Sequence, residues 1–305
     1  MKNLTKLLSV AFAATLFLTS CAPAAKAPVE GNRDSTPIVR QATADGTDVI
    51  TGNVSIVDIS NISQGYFMVQ YTGQYDAIKL QLRSEGNPEP YTYDLAADGE
   101  YYTFPITTGS GNYTLTINEN IDGNYYAVVD TATFSVNLES DFTPFLFPNQ
   151  YVNFTEESDV ASIGQEIATG AVDDLDVVNR VYDYVIHNIA YDTEKAVSVQ
   201  DFYLPDVDET LATKKGICYD FASLMTSLLR TQNIPSQLVI GYAGTTYHAW
   251  ISVHTPETGW IDNMIEFDGE DWERLDPTFA ATSSDNPELA EYVGDGTNYN
   301  ALYFY

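Results

Sequence analysis

The sequence predicts an all-β sandwich followed by a second domain that mixes helices with strands. Residues 49–138 carry short apolar runs that alternate with period two and recur at roughly ten-residue spacing between Gly, Asn and Asp. From about residue 139 the apolar residues take a helical period and later return to strand-like runs. With 305 residues, the chain is long enough for two domains that each bury an apolar core.

The N-terminus has the pattern of a secretory signal peptide over residues 1–20. Lys2 and Lys6 precede an apolar stretch over 7–18, and small residues follow it up to Cys21. This stretch is shorter than the roughly 20 residues that a membrane-spanning helix needs. Its end, Leu-Thr-Ser-Cys, resembles the lipobox of bacterial lipoproteins, which implies a lipid on Cys21 and an extracytoplasmic protein held on a bacterial membrane. The alternative is an ordinary cleaved signal followed by an incidental thiol.

Residues 21–48 are predicted to form a flexible linker, because they contain Ala, Pro, Gly and Thr but few large apolar side chains. The whole chain has a formal net charge of -30 at pH 7, with its acidic residues scattered. Nucleic-acid binding is therefore excluded, since neutralising phosphates requires clustered Lys and Arg. The negative surface favours solubility and, among protein partners, basic ones.

The first domain, residues 49–138, is predicted to be an Ig-like sandwich. It contains neither Cys nor His, so no catalytic set is visible in it. A spacer or a support for the second domain is favoured, and a binding module remains open. Its strands are predicted at 54–57, 66–71, 78–82, 101–104, 113–117 and 132–136.

A junction rich in Pro and aromatic residues, 142–151, separates the two predicted domains. Beyond it a helix is predicted, with Asp173 or Asp174 as its N-cap. The apolar face of this helix comprises Val178, Val181, Tyr182, Val185, Ile186 and Ile189. His187 lies off that face and is expected in solvent.

Cys218 is the candidate nucleophile. Gly216 interrupts the chain just before it, and the apolar residues after it recur at helical spacing, so Cys218 is expected at a helix N-terminus. The helix dipole and unpaired N–H groups there favour an anion such as a thiolate. Lys214 and Lys215 add positive charge nearby in the sequence. Taken alone, a single thiol among apolar residues is more often a small buried hydrophobe.

Two later segments supply the partners that a thiol nucleophile needs. His248 lies on a predicted strand, with Trp250 on the same face, and a histidine fixed in this way can accept a thiol proton. Asp276 ends another predicted strand just before Pro277, where a carboxylate can orient the imidazole. Asp262 is the rival orienting residue.

Three motifs in this order resemble the transglutaminase-like superfamily of cysteine enzymes: Gly-Ile-Cys-Tyr-Asp-Phe-Ala around Cys218, Tyr-His-Ala-Trp around His248, and Leu-Asp-Pro-Thr-Phe around Asp276. The resemblance covers residues 139–305. It implies Cys218 as nucleophile, His248 as acid and base, and Asp276 as orienting residue, in a papain-like α+β core whose cysteine helix packs on an antiparallel sheet. It also implies that Trp250 is a buried wall of the substrate site, although a core aromatic is equally compatible.

The wider papain-like pattern has a glutamine upstream of the cysteine that helps to bind the oxyanion, and no such glutamine is visible here. The backbone N–H of Cys218 can supply one hydrogen bond to the oxyanion, and Tyr191 is a candidate for the second.

The predicted function is acyl transfer on a peptide bond or a glutamine amide, as a peptidase or amidase if water accepts the acyl group and as a transglutaminase if a lysine amine does. The alternative is a non-catalytic cell-surface binding or scaffold lipoprotein. No cofactor is expected, and neither a structural zinc site nor a calcium loop has its ligand spacing in the sequence.

Overall fold

The computed structural model describes residues 31–87, 89–200, 203–262, 265–267, 272–274 and 299–305. Cys21 and Asp276 therefore lie outside the described residues. No helix in these ranges is both long enough and apolar enough to cross a membrane.

The first domain consists of eight strands in two antiparallel sheets. One sheet has the order β1, β2, β3, β6 and the other the order β5, β4, β7, β8. A short 3-10 helix, Ile62–Gln64, precedes β3. The strands are β1 (Val49–Thr51), β2 (Ser55–Asp58), β3 (Tyr66–Tyr71), β4 (Ile78–Ser84), β5 (Tyr91–Leu95), β6 (Tyr101–Pro105), β7 (Gly111–Asp122) and β8 (Tyr125–Val136).

The two sheets of the first domain face each other across one apolar core. Phe67 of the first sheet lies 5.6 Å from Phe134 of the second between ring centroids, and Phe104 lies 5.1 Å from Tyr93. Alternate residues of β4 and β5 are buried, as a strand with one face on a core requires. All six strands predicted from the alternation are present. The prediction missed β1 and β5, and β5 borders the functional site.

The second domain combines helices with an antiparallel sheet of order β13, β12, β11, β16. The helices are α1 (Asp159–Ala168), α2 (Asp174–Asn188), α3 (Thr193–Ser198), α4 (Val207–Thr213) and α5 (Cys218–Thr231), after a 3-10 helix at Thr143–Phe145. The strands are β9 (Ala190–Tyr191), β10 (Lys215–Gly216), β11 (Ser236–Ala243), β12 (Thr246–Thr255), β13 (Gly259–Ile261), β14 (Ile265–Phe267), β15 (Trp272–Arg274) and β16 (Tyr299–Phe304). β14 and β15 pair with each other.

The helix α5 forms the centre of the second domain and packs against β11 and β12. Its apolar residues at helical spacing are fully buried, and the helix ends where Asn233 takes a left-handed backbone conformation ahead of Pro235. The cysteine helix packed on an antiparallel sheet agrees with the expectation from the resemblance. The cap of α2 is also as predicted, because the Asp173 carboxylate accepts the backbone N–H of Asp176 at 2.8 Å.

Residues 31–48, which we call the strap, run along the surface of the second domain before they enter the first. Gly31 N–H donates to the Gly170 carbonyl, and Ile38 N–H donates to the Thr231 carbonyl. Arg33 pairs with Asp174 at 2.6 Å. Composition predicts a flexible linker here because the strap has few large apolar side chains. The strap is held instead by backbone hydrogen bonds and an ion pair, which composition does not reveal.

Candidate active site

Cys218 is the first residue of α5 and is only partly buried. The chain reaches it through β10, which pairs in parallel with β9 so that Gly216 lies beside Tyr191. The Asp192 N–H fixes this approach by donating to the Gly216 carbonyl at 2.8 Å. Only glycine fits at position 216, because a Cβ there would lie 2.5 Å from the Cβ of Asp220.

Asp220 fixes the start of α5. Its side chain is fully buried, and its Oδ2 accepts the backbone N–H of Ile217 at 2.8 Å. This contact satisfies one of the N–H groups that a helix start leaves unpaired. The residue immediately before Cys218 is therefore held by a carboxylate from the first turn of the helix.

The Asp220 carboxylate is itself held by two groups from outside α5. Lys195 of α3 places its Nζ 2.8 Å from Oδ2, and the Tyr203 hydroxyl donates to Oδ1 at 2.6 Å. Lys195 also donates to the Tyr203 oxygen at 2.6 Å. A buried carboxylate needs such partners, since its charge would otherwise carry a large desolvation cost. The three side chains thus join α3 and Tyr203 to the helix start.

The pKa values of Lys195 and Tyr203 reflect their contacts with Asp220. Burial alone lowers the pKa of Lys195, but its hydrogen bonds to Asp220 and Tyr203 outweigh burial, so the pKa lies above its ordinary value. Burial and the hydrogen bond to Asp220 raise the pKa of Tyr203 to about 12. Lys195 is therefore cationic and Tyr203 neutral at physiological pH.

His248 reaches the site from β12, and its side chain is almost fully buried. Its ring lies 6.2 Å from the Trp250 ring and 6.4 Å from the Tyr299 ring, measured between centroids. The opposite position on β11 is Gly241. A Cβ there would lie 2.8 Å from Trp250 Cη2 and 2.1 Å from the Asn300 carbonyl oxygen. Glycine at 241 therefore allows β16 and Trp250 to close around the histidine.

Cys218 and His248 line the same cavity, which has a volume of about 650 Å³. Seven tyrosines also line it. They are Tyr151, Tyr191, Tyr203, Tyr219, Tyr247, Tyr303 and Tyr305. No Asp, Glu, Lys or Arg is among the lining residues in the described part of the chain.

Comparisons with known proteins identify this region. Residues 161–263 match the family model of the transglutaminase-like superfamily. This segment of the second domain is thus similar to the transglutaminase-like superfamily. The chain is 28% identical over 204 residues to the uncharacterized protein YebA of Bacillus subtilis (strain 168), covering 60% of this chain and 26% of that protein. It is 25% identical over 142 residues to the UPF0252 protein MJ1282 of Methanocaldococcus jannaschii, covering 42% and 39%.

The chain thus spans between a quarter and two fifths of the length of these two relatives. Among solved structures, red sea bream transglutaminase aligns with a TM-score of 0.30 and 13% identity, over 70% of this chain and 48% of that one. Cys218 and His248 both lie inside the residues that match the transglutaminase-like family, whereas Asp276 lies beyond them.

The other residues singled out in the sequence have different positions relative to the cavity. Tyr191 lines the cavity beside Gly216. Trp250 is not among the lining residues, because it packs behind His248 with its ring in edge contact with Tyr299 at 5.0 Å. Asp262 is exposed and follows β13, whose Ile261 pairs with Val253 of β12. That register puts Asp262 roughly four residues, or about 13 Å, along the strand from His248.

The positive charge beside the helix start comes from a residue that the sequence did not single out. Lys214 and Lys215 are both exposed, whereas Lys195 pairs with the buried Asp220. Asp220 had a recognisable signal, since an acidic residue at the third helical position is typical of a capping box. Lys195 and Tyr203 had none, because their role depends on contacts across 25 and 17 residues of chain.

Proposed function

We propose that the protein is a membrane-anchored, extracytoplasmic thiol acyl-transfer enzyme that acts on peptide or glutamine amide bonds. One observation carries the proposal: Cys218 at the start of α5 and His248 on β12 line one cavity although they belong to separate elements. A nucleophile and a base that face one cavity are the parts that cysteine catalysis requires. The transglutaminase-like match over residues 161–263 supports the same chemistry.

In the first half-reaction, the Cys218 thiolate attacks the carbonyl carbon of the amide and a C–S bond forms. His248, as the imidazolium, gives its proton to the departing nitrogen, and the C–N bond breaks. The products are a thioester on Cys218 and a free amine, or ammonia when the amide belongs to glutamine.

In the second half-reaction, water or the amine of a lysine attacks the thioester. The neutral His248 takes the proton of the attacking group, and the C–S bond breaks to restore the thiolate. We favour water as the acceptor, because the cavity has no acidic side chain among its described lining residues to bind an ammonium group. A protein or peptide is thus the substrate, and a basic one suits a chain with a net charge of -30.

Two further roles complete the proposed mechanism. The backbone N–H of Cys218 is unpaired within its helix and can donate to the oxyanion, with the Tyr191 hydroxyl as the second donor. Asp276 would accept the remaining N–H of His248 and fix its tautomer. Trp250 would then support His248 from behind, consistent with its ring contact.

The anchor is proposed at Cys21, which precedes the strap by only nine residues of chain between 22 and 30. The strap begins on the second domain, where Gly31 bonds to Gly170. A lipid on Cys21 would therefore hold the catalytic domain directly, and the sandwich would not act as a spacer between the membrane and the site. Mass spectrometry of the N-terminal peptide from membrane fractions tests this, with Cys21→Ala as the variant that should release the protein.

The activity is tested by incubating the protein with a glutamine peptide and a labelled primary amine, while ammonia release, amine incorporation and chain cleavage are measured together. We expect at least one of these products, and we expect Cys218→Ala and His248→Gln to lower its rate by about a thousandfold or more. His187→Gln is the matched control, because His187 is exposed and its Nδ1 lies 2.7 Å from the Asp183 carbonyl oxygen of its own helix. If both active-site variants keep the wild-type phenotype, the protein is a non-catalytic surface module.

A further inference from the structure

We propose that strand β5 of the β-sandwich completes a substrate subsite beside Cys218, and that this subsite takes an aromatic side chain of a protein substrate. The assignment of the cavity to a substrate rests on the proposed function. The sandwich then acts as a part of the active site, and Thr92 is a residue that determines specificity.

The first observation is that β5 contributes directly to the cavity. Thr92 is one of its lining residues, although it lies in the first domain and Cys218 lies in the second. β5 is an edge strand of its sheet, and its outer edge forms hydrogen bonds with residues 150 and 151. The hydroxyl of Tyr151, another lining residue, donates to the Thr92 carbonyl at 3.1 Å.

The second observation is that β5 is held rigidly against the second domain. The Asp94 N–H donates to the Gln150 side-chain oxygen at 3.1 Å, and the Gln150 amide donates back to the Asp94 carbonyl at 2.6 Å. On the other side, the Phe304 N–H donates to the Tyr91 hydroxyl at 3.2 Å. Such paired polar contacts fix both spacing and register, as the rim of a binding site requires.

The third observation is a continuous set of aromatic contacts across the domain boundary. The Tyr91 ring lies 5.5 Å from Tyr305 and 5.2 Å from Tyr303 in edge geometry. Tyr151 lies 4.0 Å from Tyr305 and 6.0 Å from Tyr219, which is stacked on it. Tyr91 of the first domain therefore packs behind the tyrosines that line the cavity, and one of these, Tyr219, is the direct neighbour of Cys218.

The residues that line the cavity determine which kind of substrate side chain can bind in it. A charged side chain would lose its hydration in the cavity without a partner, because none of the described lining residues is Asp, Glu, Lys or Arg. Tyrosine rings offer flat apolar faces and polarised edges, which favour contact with another aromatic ring beyond the effect of burial alone. The volume of about 650 Å³ holds such a ring together with the peptide that carries it.

A sugar ring also stacks on aromatic faces, but it brings several hydroxyl groups that need hydrogen-bonding partners. The lining supplies few side chains for that purpose besides tyrosine hydroxyls, chiefly Thr92, Gln200 and Thr246. An aromatic side chain of a peptide suits this lining better than a sugar, since its ring carries at most one group that needs a hydrogen-bonding partner.

The test uses the full chain with Cys218→Ala and measures peptide binding by calorimetry. The peptides are identical except that the residue next to the glutamine is Phe, Ala or Asp. We expect the Phe peptide to bind about tenfold more tightly than the Ala peptide and the Asp peptide to bind most weakly. This comparison needs no further substitution, so a folding defect cannot imitate its result.

A second comparison locates the subsite. Thr92→Trp, added to the Cys218→Ala chain, fills the cavity from the sandwich side and should remove the preference for Phe. Thr133→Trp is the matched control, because Thr133 is exposed on β8 at the opposite edge of the same sheet. The Thr133 variant should keep the full preference.

Equal binding of the three peptides, loss of the preference in the Thr133 variant, or binding of a soluble glycan fragment in place of the peptides would each overturn the subsite. The two proposals fail separately. If the chain binds the Phe peptide selectively but the wild-type chain turns over no substrate, the subsite stands and the proposed enzyme activity is wrong. If the wild-type chain turns over substrate without aromatic selectivity, the activity stands and the subsite is wrong.

Discussion

The two ends of α5 use buried charge in different ways. At the N-terminal end the Asp220 carboxylate pairs with Lys195 and Tyr203, and Cys218 stays partly exposed at a cavity. At the C-terminal end the fully buried Arg230 donates to the carbonyls of Ser236 and Tyr305. Burial lowers the pKa of this arginine to about 9. The helix is 14 residues long, or about 21 Å from end to end.

The buried charges at the two ends of α5 hold different parts of the molecule in place. Arg230 also donates to the Phe147 carbonyl, so it joins the domain junction, β11 and the C-terminus in one closed contact. Asp220 joins α3 and Tyr203 to the wall of an open cavity. One end of the helix therefore serves mainly stability, while the other positions groups for chemistry.

Arg230→Met should give the largest loss of stability, because it removes the guanidinium donor from the buried carbonyls of Ser236 and Phe147 and leaves the Tyr305 carbonyl with the Leu238 N–H. Each unsatisfied buried group typically costs about 1–3 kcal/mol, so we expect the free energy of unfolding to fall by about 3 kcal/mol or more. Urea denaturation measures this. Arg180→Met is the control, because Arg180 also donates to two carbonyls, those of Thr169 and Gly170, but is about one third exposed. Water can replace its contacts, so this variant should cost about 1 kcal/mol. Equal losses in both variants would contradict the structural role of Arg230.

Lys195→Met should affect activity more than stability. It leaves the Asp220 carboxylate with only the Tyr203 hydroxyl and the Ile217 N–H, so the wall around Cys218 loosens. We expect kcat to fall about tenfold and the free energy of unfolding by about 1–2 kcal/mol. The controls are Lys215→Met, which removes an exposed lysine next to Gly216 and should change neither value, and Lys195→Arg, which should restore part of kcat. A tenfold effect from Lys215 would mean that long-range charge, and not the Asp220 contact, is what matters.

Arg33→Met should have the smallest effect and should act only at the C-terminal end of α5. It removes the pair with Asp174 and the hydrogen bond to the Gln232 carbonyl at 2.7 Å. We expect about 1 kcal/mol less stability, faster proteolysis within the strap, and unchanged turnover. Limited proteolysis with mass spectrometry of the fragments measures this. A change in kcat would show that the strap couples to the cavity, which would weaken the contrast between the two ends.

The sequence predicted well the elements whose signal is local. Period-two runs located six strands of the sandwich, and helical spacing located α2 and α5. Asp173 was found as a cap because its partner, Asp176, is three residues away. The strand β5 was missed although Tyr91, Tyr93 and Leu95 alternate with polar residues, because its neighbouring turn residues obscured so short a run.

The strap shows the limit of composition as a guide. Its residues lack the apolar surface that usually marks ordered structure, so a flexible linker was the natural prediction. Order comes from partners more than 100 residues away, such as Asp174 and Thr231. No local pattern records contacts at that separation.

The sequence by itself determined that a thiol begins a helix, that a histidine lies fixed on a strand, and that residues around them share the motifs of a transglutaminase-like domain. These properties follow from local spacing, capping and residue type. Only the tertiary structure decided that Cys218 and His248 share one cavity, that Lys195 supplies the charge opposite Asp220, and that Thr92 of the other domain reaches the same wall. Side chains far apart in the chain meet only when two packed domains bury their surfaces together, and that information is spread over the whole fold.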